Sequence, residues 1–485
     1  MLFNSYEYIF IFLPASLVLF FLLSRRGWTK AAKVSLVFSS LFFYGWWDPR
    51  YLPLILGSIL FNYAVGRTLS HFGEKPEPWR KRLLAAGIAG DVLLLGWFKY
   101  ADFFIVNVNS AAGLHLSLLN IVLPLGISFF TFTQIAYLVD AFRGRAKEYS
   151  FTNYALFVSF FPHLLAGPIL HHREMMPQFD DEGNKRIDYG NLSVGVYLFF
   201  IGLVKKVVIA DSFAPWANSG FDTAENLAFV EAWITSLSYT LQLYFDFSGY
   251  TDMALGSARM FNIRLPVNFN SPYRSLDIRE FWRRWHMTLS RFMRDYLYIP
   301  FGGNRGTEAR VTANLLLTFL IGGLWHGAGW TFVFWGFLHG AAMGVHRLWK
   351  RTGLSLPNWA AWLVTFHFVN VAWIFFRAKS WDRAWLVLKG MLGLNGIVVS
   401  EHLQGPLGFL ADYGVRFGKW ITMPGGTRAV WMVLGFGLLC LLLKNSNELA
   451  ERFRPGRATL WFLIALSLAG LFQLAKVSEF LYFNF

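Results

Sequence analysis

The chain has 485 residues, of which 55% are hydrophobic and 15% charged, and its mean hydropathy is +0.40. Soluble globular proteins are less apolar, so an ordinary water-soluble protein is excluded. In a membrane protein the formal charge of +15 reflects topology before it indicates nucleic-acid binding. The single cysteine, Cys440, excludes an intrachain disulfide, a cysteine metal site and a thiol relay.

Apolar segments recur along the whole sequence. Those that approach or exceed the roughly 20 residues needed to cross the hydrocarbon are 8–23, 83–98, 118–138, 194–204 and 461–474 with their extensions. By this length rule we count about ten to twelve membrane helices. The first segment runs into Ser24-Arg25-Arg26 instead of a signal cleavage site, so we expect it to be retained. Because every polar stretch is short, we predict a single membrane-embedded domain over residues 1–485.

The basic loops indicate the topology of the first half. Lys and Arg cluster at 25–33, 67–82, 143–147 and 205–206. The positive-inside rule places these four loops in the cytoplasm and the N-terminus outside. The loop 171–188 has three basic and five acidic side chains, which predicts the outer face. We expect its pair His171-His172 to be solvated and not to bind a metal.

One predicted helix, residues 232–255, has polar groups along a single face. Tyr239, Gln242, Asp246 and Tyr250 follow one another at steps of three and four. A carboxylate in a membrane helix seldom faces lipid. Asp246 therefore either holds an arginine of a neighbouring helix or orients a substrate hydroxyl or an imidazole.

The next segment, residues 270–305, is basic and amphipathic. Aromatic and apolar residues at 281, 285, 289, 292 and 296 lie opposite arginines at 279, 283, 291 and 294. Such a helix lies in the membrane interface or re-enters the membrane. Its arginines either bind lipid headgroups or, together with His286, line the entrance to a buried site and attract an anionic substrate.

Residues 322–340 place two histidines, His326 and His339, in a run without charged residues. Fifteen residues on either side of the Trp325–Gly329 turn lead to basic ends, and fifteen residues of helix reach only about 22 Å. The hydrocarbon is about 30 Å thick, so a hairpin with both ends on one face would stop short of the other. We expect Gly327 and Gly329 to provide a permissive turn that opens on a cavity, with His326 at its floor.

A buried histidine is more often a satisfied core residue than a catalyst. A neutral imidazole at the end of a cavity is nevertheless suited to take a proton from a hydroxyl nucleophile. Other catalytic motifs are absent from the sequence, including G-x-S-x-G, the P-loop and H-E-x-x-H.

Four ordered motifs carry a resemblance. FFPHLLAGPI, QLYFDFSGYTDMA, WRRWHMTLSRFMRDYLYIPFGGNR and LWHGAGWTFVFWGFLHG resemble the successive motifs of the membrane-bound O-acyltransferase family, in particular its bacterial alginate O-acetylation branch. The similarity covers nearly the whole chain, with a motif core over about residues 236–346. It implies an all-α polytopic bundle with re-entrant or interfacial helices around a central tunnel, which joins a cytoplasmic donor entrance to an outward-facing acceptor funnel.

The same resemblance implies roles for individual residues. The essential histidine of the family falls on His326, and a second histidine near the funnel falls on His286, so both are predicted to be catalytic. Packing or positioning is the expected role of His339. The residues expected to bind substrate or line the tunnel are His339, Asp246, Tyr250, Trp325, Arg283 and Arg284.

The function that follows is an O-acetyltransferase of the bacterial inner membrane. It would move an acetyl group from a cytoplasmic thioester, acetyl-CoA or an acyl carrier protein, to a hydroxyl of an extracytoplasmic polysaccharide or to a periplasmic acetyltransferase partner. No bound cofactor, metal or nucleic acid is expected, and membrane lipids surround the chain.

Two alternatives stay open. The first is a transporter or flippase that uses the intramembrane residues Asp91, Lys99, Asp102, Asp246 and Asp252, although the halves of the chain show no internal repeat. The second is a non-catalytic scaffold for periplasmic acetyltransferases.

Overall fold

A computed structural model describes residues 1–71, 78–148, 150–420, 423–474 and 481. This part of the chain is mostly helical. The helices are α1 (Leu13–Arg25), α2 (Thr29–Gly45), α3 (Leu52–His71), α4 (Pro78–Ala112), α5 (Ile127–Phe142), α6 (Phe151–Ser159), α7 (Phe161–Leu164), α8 (His172–Asp180), α9 (Tyr189–Val204), α10 (Asp211–Asn218), α11 (Phe229–Met260), α12 (Ile278–Arg284), α13 (Met287–Met293), α14 (Glu308–His326), α15 (Trp330–Arg351), α16 (Asn358–Arg377), α17 (Trp381–Met391), α18 (Gln404–Leu407), α19 (Thr427–Leu442), α20 (Ser446–Glu451) and α21 (Arg457–Gln473).

The strands of the described residues are β1 (Ile397–Ser400) and β2 (Val415–Gly418), which pair in parallel with Ile397 opposite Val415. Local sequence explains several helix starts. Thr307, Asp277 and Ser380 precede α14, α12 and α17, and each side chain accepts a hydrogen bond from a backbone N–H of the first turn.

Among the described residues, five helical stretches are long and apolar enough to cross a membrane: Tyr8–Arg25, Pro49–His71, Pro78–Ala112, Tyr189–Thr223 and Asn358–Arg377. Shorter apolar helices are α5, α19 and α21. The predicted all-α polytopic membrane fold is therefore confirmed. The count of ten to twelve helices includes segments that are shorter or more polar than these five.

The chain divides into two compact units whose segments alternate along the sequence. The first unit contains residues 1–203, 250–268 and 450–477, and the second contains residues 204–249, 269–449 and 478–485. Helix α11 contributes to both. The predicted motif core, residues 236–346, is likewise shared between the units, and the single domain over 1–485 stays a prediction.

In the first unit, Lys33 corrects one part of the predicted topology. At the start of α2 it forms an ion pair with Asp180 and donates to Asn153 Oδ1 at 3.0 Å. Since Lys33 belongs to a basic loop and Asp180 to the acidic 171–188 loop, both loops lie at one end of the unit. The expectation that residues 171–188 lie on the opposite face is wrong, because net loop charge alone does not define sidedness.

The two histidines of that loop are also placed differently from the prediction. His171 and His172 are buried, not solvated. The Nδ1 atom of His171 is 3.3 Å from Asp140 Oδ2, and the Nε2 atom of His172 is 3.0 Å from Glu148 Oε2. Each imidazole thus has a carboxylate partner, which satisfies its buried polar atoms.

Between α3, α4 and α5 the first unit has a buried polar network. Asn62 Nδ2 donates to Asp91 Oδ1 at 2.7 Å, and Gln134 Nε2 donates to Ser58 Oγ at 2.8 Å. Tyr154 continues the chain of contacts, because its hydroxyl donates to Gln134 Oε1 at 3.3 Å. These contacts join α3 to α4 and α5, and α5 to α6.

In the second unit, the predicted loop at Lys205-Lys206 is wrong. Both lysines lie inside the continuous helical stretch Tyr189–Thr223, in a π-helical segment. Lys206 is buried and its ammonium lies 2.6 Å from Asp246 Oδ1 and 3.0 Å from Asp211 Oδ1. A buried cation with two carboxylate partners stabilises the fold; it is not a topology signal.

The predicted amphipathic helix is broken in the middle. Helix α12 ends at Arg284 and α13 begins at Met287, and His286 between them has a left-handed φ of 42°. That backbone conformation is uncommon for a residue other than glycine and turns the chain sharply. The aromatic face is buried as expected, and Arg283 on the opposite side is exposed.

The hairpin predicted around His326 is confirmed. Helices α14 and α15 are its arms, and the Arg347 guanidinium lies 2.7 Å from Glu308 Oε2, so the outer ends of both arms are together. The arms are longer than predicted, since α14 alone has 19 residues. A helix of that length spans about 28 Å, close to the hydrocarbon thickness. The hairpin is therefore longer than predicted, and its length does not make its tip stop well short of the far side of the hydrocarbon.

The glycines of the hairpin matter because they have no side chain, not because of special backbone angles. Gly327 and Gly329 have φ values of −160° and −164°, an extended conformation open to any residue, so the predicted permissive turn is wrong. A Cβ on Gly327 would lie 2.2 Å from the Phe332 ring. A Cβ on Gly323 would lie 2.3 Å from Phe332 O, so a glycine there lets the two arms approach closely.

Candidate active site

His326 ends α14 and is almost enclosed by aromatic rings. It is 4% exposed. Its ring centroid lies 4.9 Å from that of Trp325, 5.1 Å from Trp335 and 5.1 Å from Phe376. These rings exclude water from most of the imidazole, which strengthens any electrostatic interaction it makes.

His339 lies on α15 in the same cluster and is 0% exposed. The Trp335 ring contacts both imidazoles, since its centroid is 4.7 Å from that of His339. On another side, the indole N–H of Trp282 donates to His339 Nδ1 at 3.2 Å. His339 therefore has a fixed hydrogen bond, and a single tryptophan separates it from His326.

His286 reaches the cluster from the break between α12 and α13. It is fully buried, so it does not line a surface entrance as one interpretation of the sequence expected. Its ring packs at 4.8 Å against Phe247 and at 6.4 Å from Trp325. Trp325 therefore contacts both His286 and His326, and the three histidines are linked through Trp325 and Trp335.

Asp246 is bound to a lysine. In addition to the Lys206 ammonium, it accepts a hydrogen bond from the backbone N–H of Leu481 at 3.1 Å. The expected arginine partner from the amphipathic helix is therefore wrong. Lys206 was missed because two adjacent lysines suggest a basic loop. The signal against a loop is that residues 204–210 contain no glycine, proline or other turn former.

The remaining predicted site residues lie in different surroundings. Arg284 is bound to Glu280, with its nitrogen 2.8 Å from Oε1, and it donates to Asn270 O at 3.1 Å. Arg283 is exposed. Tyr250 belongs to the first unit, where its ring stacks on Phe3 at 4.8 Å. Their roles in substrate binding, and the tunnel itself, stay predictions.

A family model for the membrane-bound O-acyltransferases matches residues 140–380, which include all three clustered histidines. A peptidoglycan O-acetyltransferase of Helicobacter pylori is 46% identical, over 100% of this chain and 98% of its own length. The chain belongs to the membrane-bound O-acyltransferase family. It is therefore an O-acyltransferase.

Other members of the family are similar over less of the chain. A probable alginate O-acetylase of Pseudomonas aeruginosa is 39% identical over 83% of this chain and 76% of its own length. A teichoic acid D-alanyltransferase of Bacillus subtilis is 29% identical over 54% of this chain and 71% of its own length. The predicted family is thus confirmed, and identity is higher to the peptidoglycan relative than to the alginate one.

Within this family member, two tryptophans of the cluster were not predicted as site residues. Trp335 lies between His326 and His339, and Trp282 bonds His339. The spacing offered a signal for Trp335, because it precedes His339 by four residues and so shares its helix face. Trp282 comes from a different helix, and only the tertiary packing reveals its contact.

Proposed function

We propose that this O-acyltransferase transfers acetyl groups to a hydroxyl of a cell-envelope glycan outside the cytoplasmic membrane. Two relatives with high coverage have O-acetylation in their names, and both are more similar than the D-alanyl relative. Peptidoglycan is the first acceptor to test, because the relative with that name matches over the full length. An alginate-like exported polysaccharide is the second.

In this proposal His326 is the general base. The acceptor hydroxyl gives its proton to the imidazole as its oxygen attacks the thioester carbonyl, and the tetrahedral intermediate then expels the thiolate, which takes up the proton. A thioester is already activated, so the reaction needs no protein nucleophile. The observation that supports this role is the enclosed position of His326 among Trp325, Trp335 and Phe376.

The donor in this proposal is acetyl-CoA or an acetylated carrier protein that approaches from the cytoplasm. The basic loops at 25–33 and 143–147 would face that side, which leaves the N-terminus outside. No bound cofactor is required. The acetyl group either reaches the glycan directly or passes first to a periplasmic acetyltransferase partner.

Deletion of the gene in its host tests the acceptor. Acetate released by mild alkali is measured separately from purified peptidoglycan and from exported polysaccharide, before and after complementation with the wild type. We expect peptidoglycan to lose acetate on deletion and to regain it on complementation. If only exported polysaccharide loses acetate, the acceptor is the second candidate; unchanged acetate in both fractions would contradict the proposal.

Purified protein tests the donor and separates an enzyme from a transporter or scaffold. Detergent-solubilised wild type is supplied with labelled acetyl-CoA and a soluble glycan fragment, without an ion gradient. We expect labelled ester to form, with or without a periplasmic partner. A transporter would form none. A non-catalytic scaffold would form none without a partner acetyltransferase and, with one, would form as much with His326→Ala as with wild type.

A further inference from the structure

His339 has its protonation pattern defined by a neighbour. The indole nitrogen of Trp282 is only a donor, and it lies 3.2 Å from His339 Nδ1. Nδ1 must therefore accept, which leaves the proton of the neutral imidazole on Nε2. Among the residues that the structure describes, this Nε2 has no hydrogen-bond partner, although it is fully buried.

Trp335 presents a second donor of the same kind. Its side chain is 1% exposed, and its indole Nε1 has no partner within the described part of the chain. Trp335 and His339 are four residues apart on α15, so they lie on one face of the helix, and their ring centroids are 4.7 Å apart. The two rings that carry these buried N–H donors are thus in contact, and neither donor has an acceptor among the residues that the structure describes.

Leaving such donors unsatisfied is costly, because each buried group loses its hydrogen bonds to water and gains none in exchange. Native proteins rarely keep buried polar groups unsatisfied, and a role in a functional site is one reason for the exceptions. The position of the pair suggests the missing acceptor, because the same Trp335 ring contacts the imidazole of His326 at 5.1 Å. An oxygen bound by the donors would lie beside the proposed base.

We propose that Trp335 Nε1–H and His339 Nε2–H bind the acyl carbonyl oxygen of the thioester and stabilise the oxyanion that forms during transfer. As the acceptor oxygen bonds to the carbonyl carbon, the carbonyl π electrons move to its oxygen, which accepts both hydrogen bonds. When the intermediate collapses, the carbonyl re-forms and the carbon–sulfur bond breaks. This inference rests on the proposed acyl transfer from a thioester.

Trp282 then acts as a positioning residue. It does not contact the acyl group in this scheme, but its hydrogen bond holds His339 in the tautomer that carries the proton on Nε2. Without that bond the imidazole could place its proton on Nδ1 and present an acceptor to the oxyanion. The inferred device therefore needs two donors and one residue that orients them.

The test uses the full-length protein in detergent and the labelled acetyl-CoA assay. His339→Met and Trp335→Phe each remove one donor with modest change in volume, and His339→Gln keeps an N–H donor. For each donor-less variant we expect kcat to fall by about 10²–10³-fold, as when an oxyanion-hole donor is removed. We expect the KM for acetyl-CoA to change little and His339→Gln to recover part of the loss.

Further variants separate this role from proton transfer and from structure. Trp282→Phe is expected to lower kcat by a smaller factor, since it removes neither donor and only allows His339 to adopt either tautomer. Trp349→Phe is the matched control: the same substitution on the same helix at an exposed residue, where kcat should equal that of wild type. The pH dependence of kcat should keep its shape in the His339 and Trp335 variants, because neither group transfers a proton.

The possible failures are distinguishable. If the wild type transfers no acetyl group, the proposed function fails before the donors are tested. If the wild type is active and both Trp335→Phe and His339→Met keep kcat within twofold, the donors bind only structural water and the inference is overturned. The inference would also be overturned if His339→Met lost the acidic or the basic limb of the pH profile of kcat, since His339 would then exchange protons.

Discussion

Buried histidines have different neighbours in the two units. In the first unit, His171 and His172 each lie beside a carboxylate, Asp140 and Glu148 respectively. In the second unit, His286, His326 and His339 lie among aromatic rings. Because His172 also packs against the rings of Tyr137 and Phe157, the carboxylate is what sets the first group apart. A carboxylate partner satisfies a buried imidazole and stabilises the fold, whereas the three clustered histidines are the ones that we propose act on a substrate.

The largest effect is expected at His326. Substitution His326→Ala removes the proposed base and should lower the rate of acetyl transfer by about 10²–10⁴-fold. The melting temperature of this variant should change little. The matched substitution His172→Ala should do the opposite, with lower stability and nearly normal kcat for the folded fraction. We would measure the acyl-transfer rate and the melting temperature of both variants. If His172→Ala reduced kcat as strongly as His326→Ala, the contrast between the two groups of histidines would be wrong.

Lys206 offers the next largest effect, on stability. Lys206→Met leaves Asp246, which is 1% exposed, without its close cation. Removing one partner of a buried pair costs about 3–5 kcal/mol. Chemical unfolding of the solubilised protein measures this loss, and the double variant Lys206→Met with Asp246→Leu should recover part of it. Lys205→Met is the control, because Lys205 is less buried and donates to the Ser446 hydroxyl; an equal loss there would contradict the role of the pair.

Each unit has a buried aspartate, and the two aspartates differ in whether the hydrogen-bond partner is charged. Asp91 Oδ1 accepts a hydrogen bond from the uncharged Asn62 amide, in contrast to the Lys206 ammonium beside Asp246. Asp91→Asn should therefore cost less than about 1 kcal/mol, and Asp91→Ala about 1–3 kcal/mol, because Ala leaves Asn62 without its acceptor. Unfolding free energies of the two variants test this, and a larger loss for Asn than for Ala would show that the charge matters.

The smallest effect is a pH dependence at Glu148. Burial raises the pKa of this carboxyl, but hydrogen bonds from His172 and from the Ser150 N–H outweigh it and hold the pKa below the usual 4.5. A lowered pKa in the folded state contributes stability above pH 4.5 that is lost as the pH falls through the lowered value. Melting temperatures of wild type and Glu148→Gln should therefore converge in acid; parallel curves would contradict this.

Several features of the site were predictable from the sequence. The two histidines of residues 322–340, the hairpin between basic ends and the ordered family motifs follow from residue order alone. Hydropathy indicates membrane helices because lipid forces every backbone polar group to bond within its own segment. The same reasoning misplaced Lys206 and the 171–188 loop, since charge in one segment does not reveal which segment neutralises it.

The sequence by itself determined the class of protein and the family, and it predicted His326 as the residue for proton transfer. Composition and short motifs carry that information, because membrane insertion and local chemistry depend on nearby residues. Only the tertiary structure decided that Trp335 contacts both His326 and His339, that Trp282 orients His339, and that Lys206 holds Asp246. The contacts of Trp282 with His339 and of Lys206 with Asp246 join residues about 40 or more positions apart, and their geometry depends on how whole helices pack.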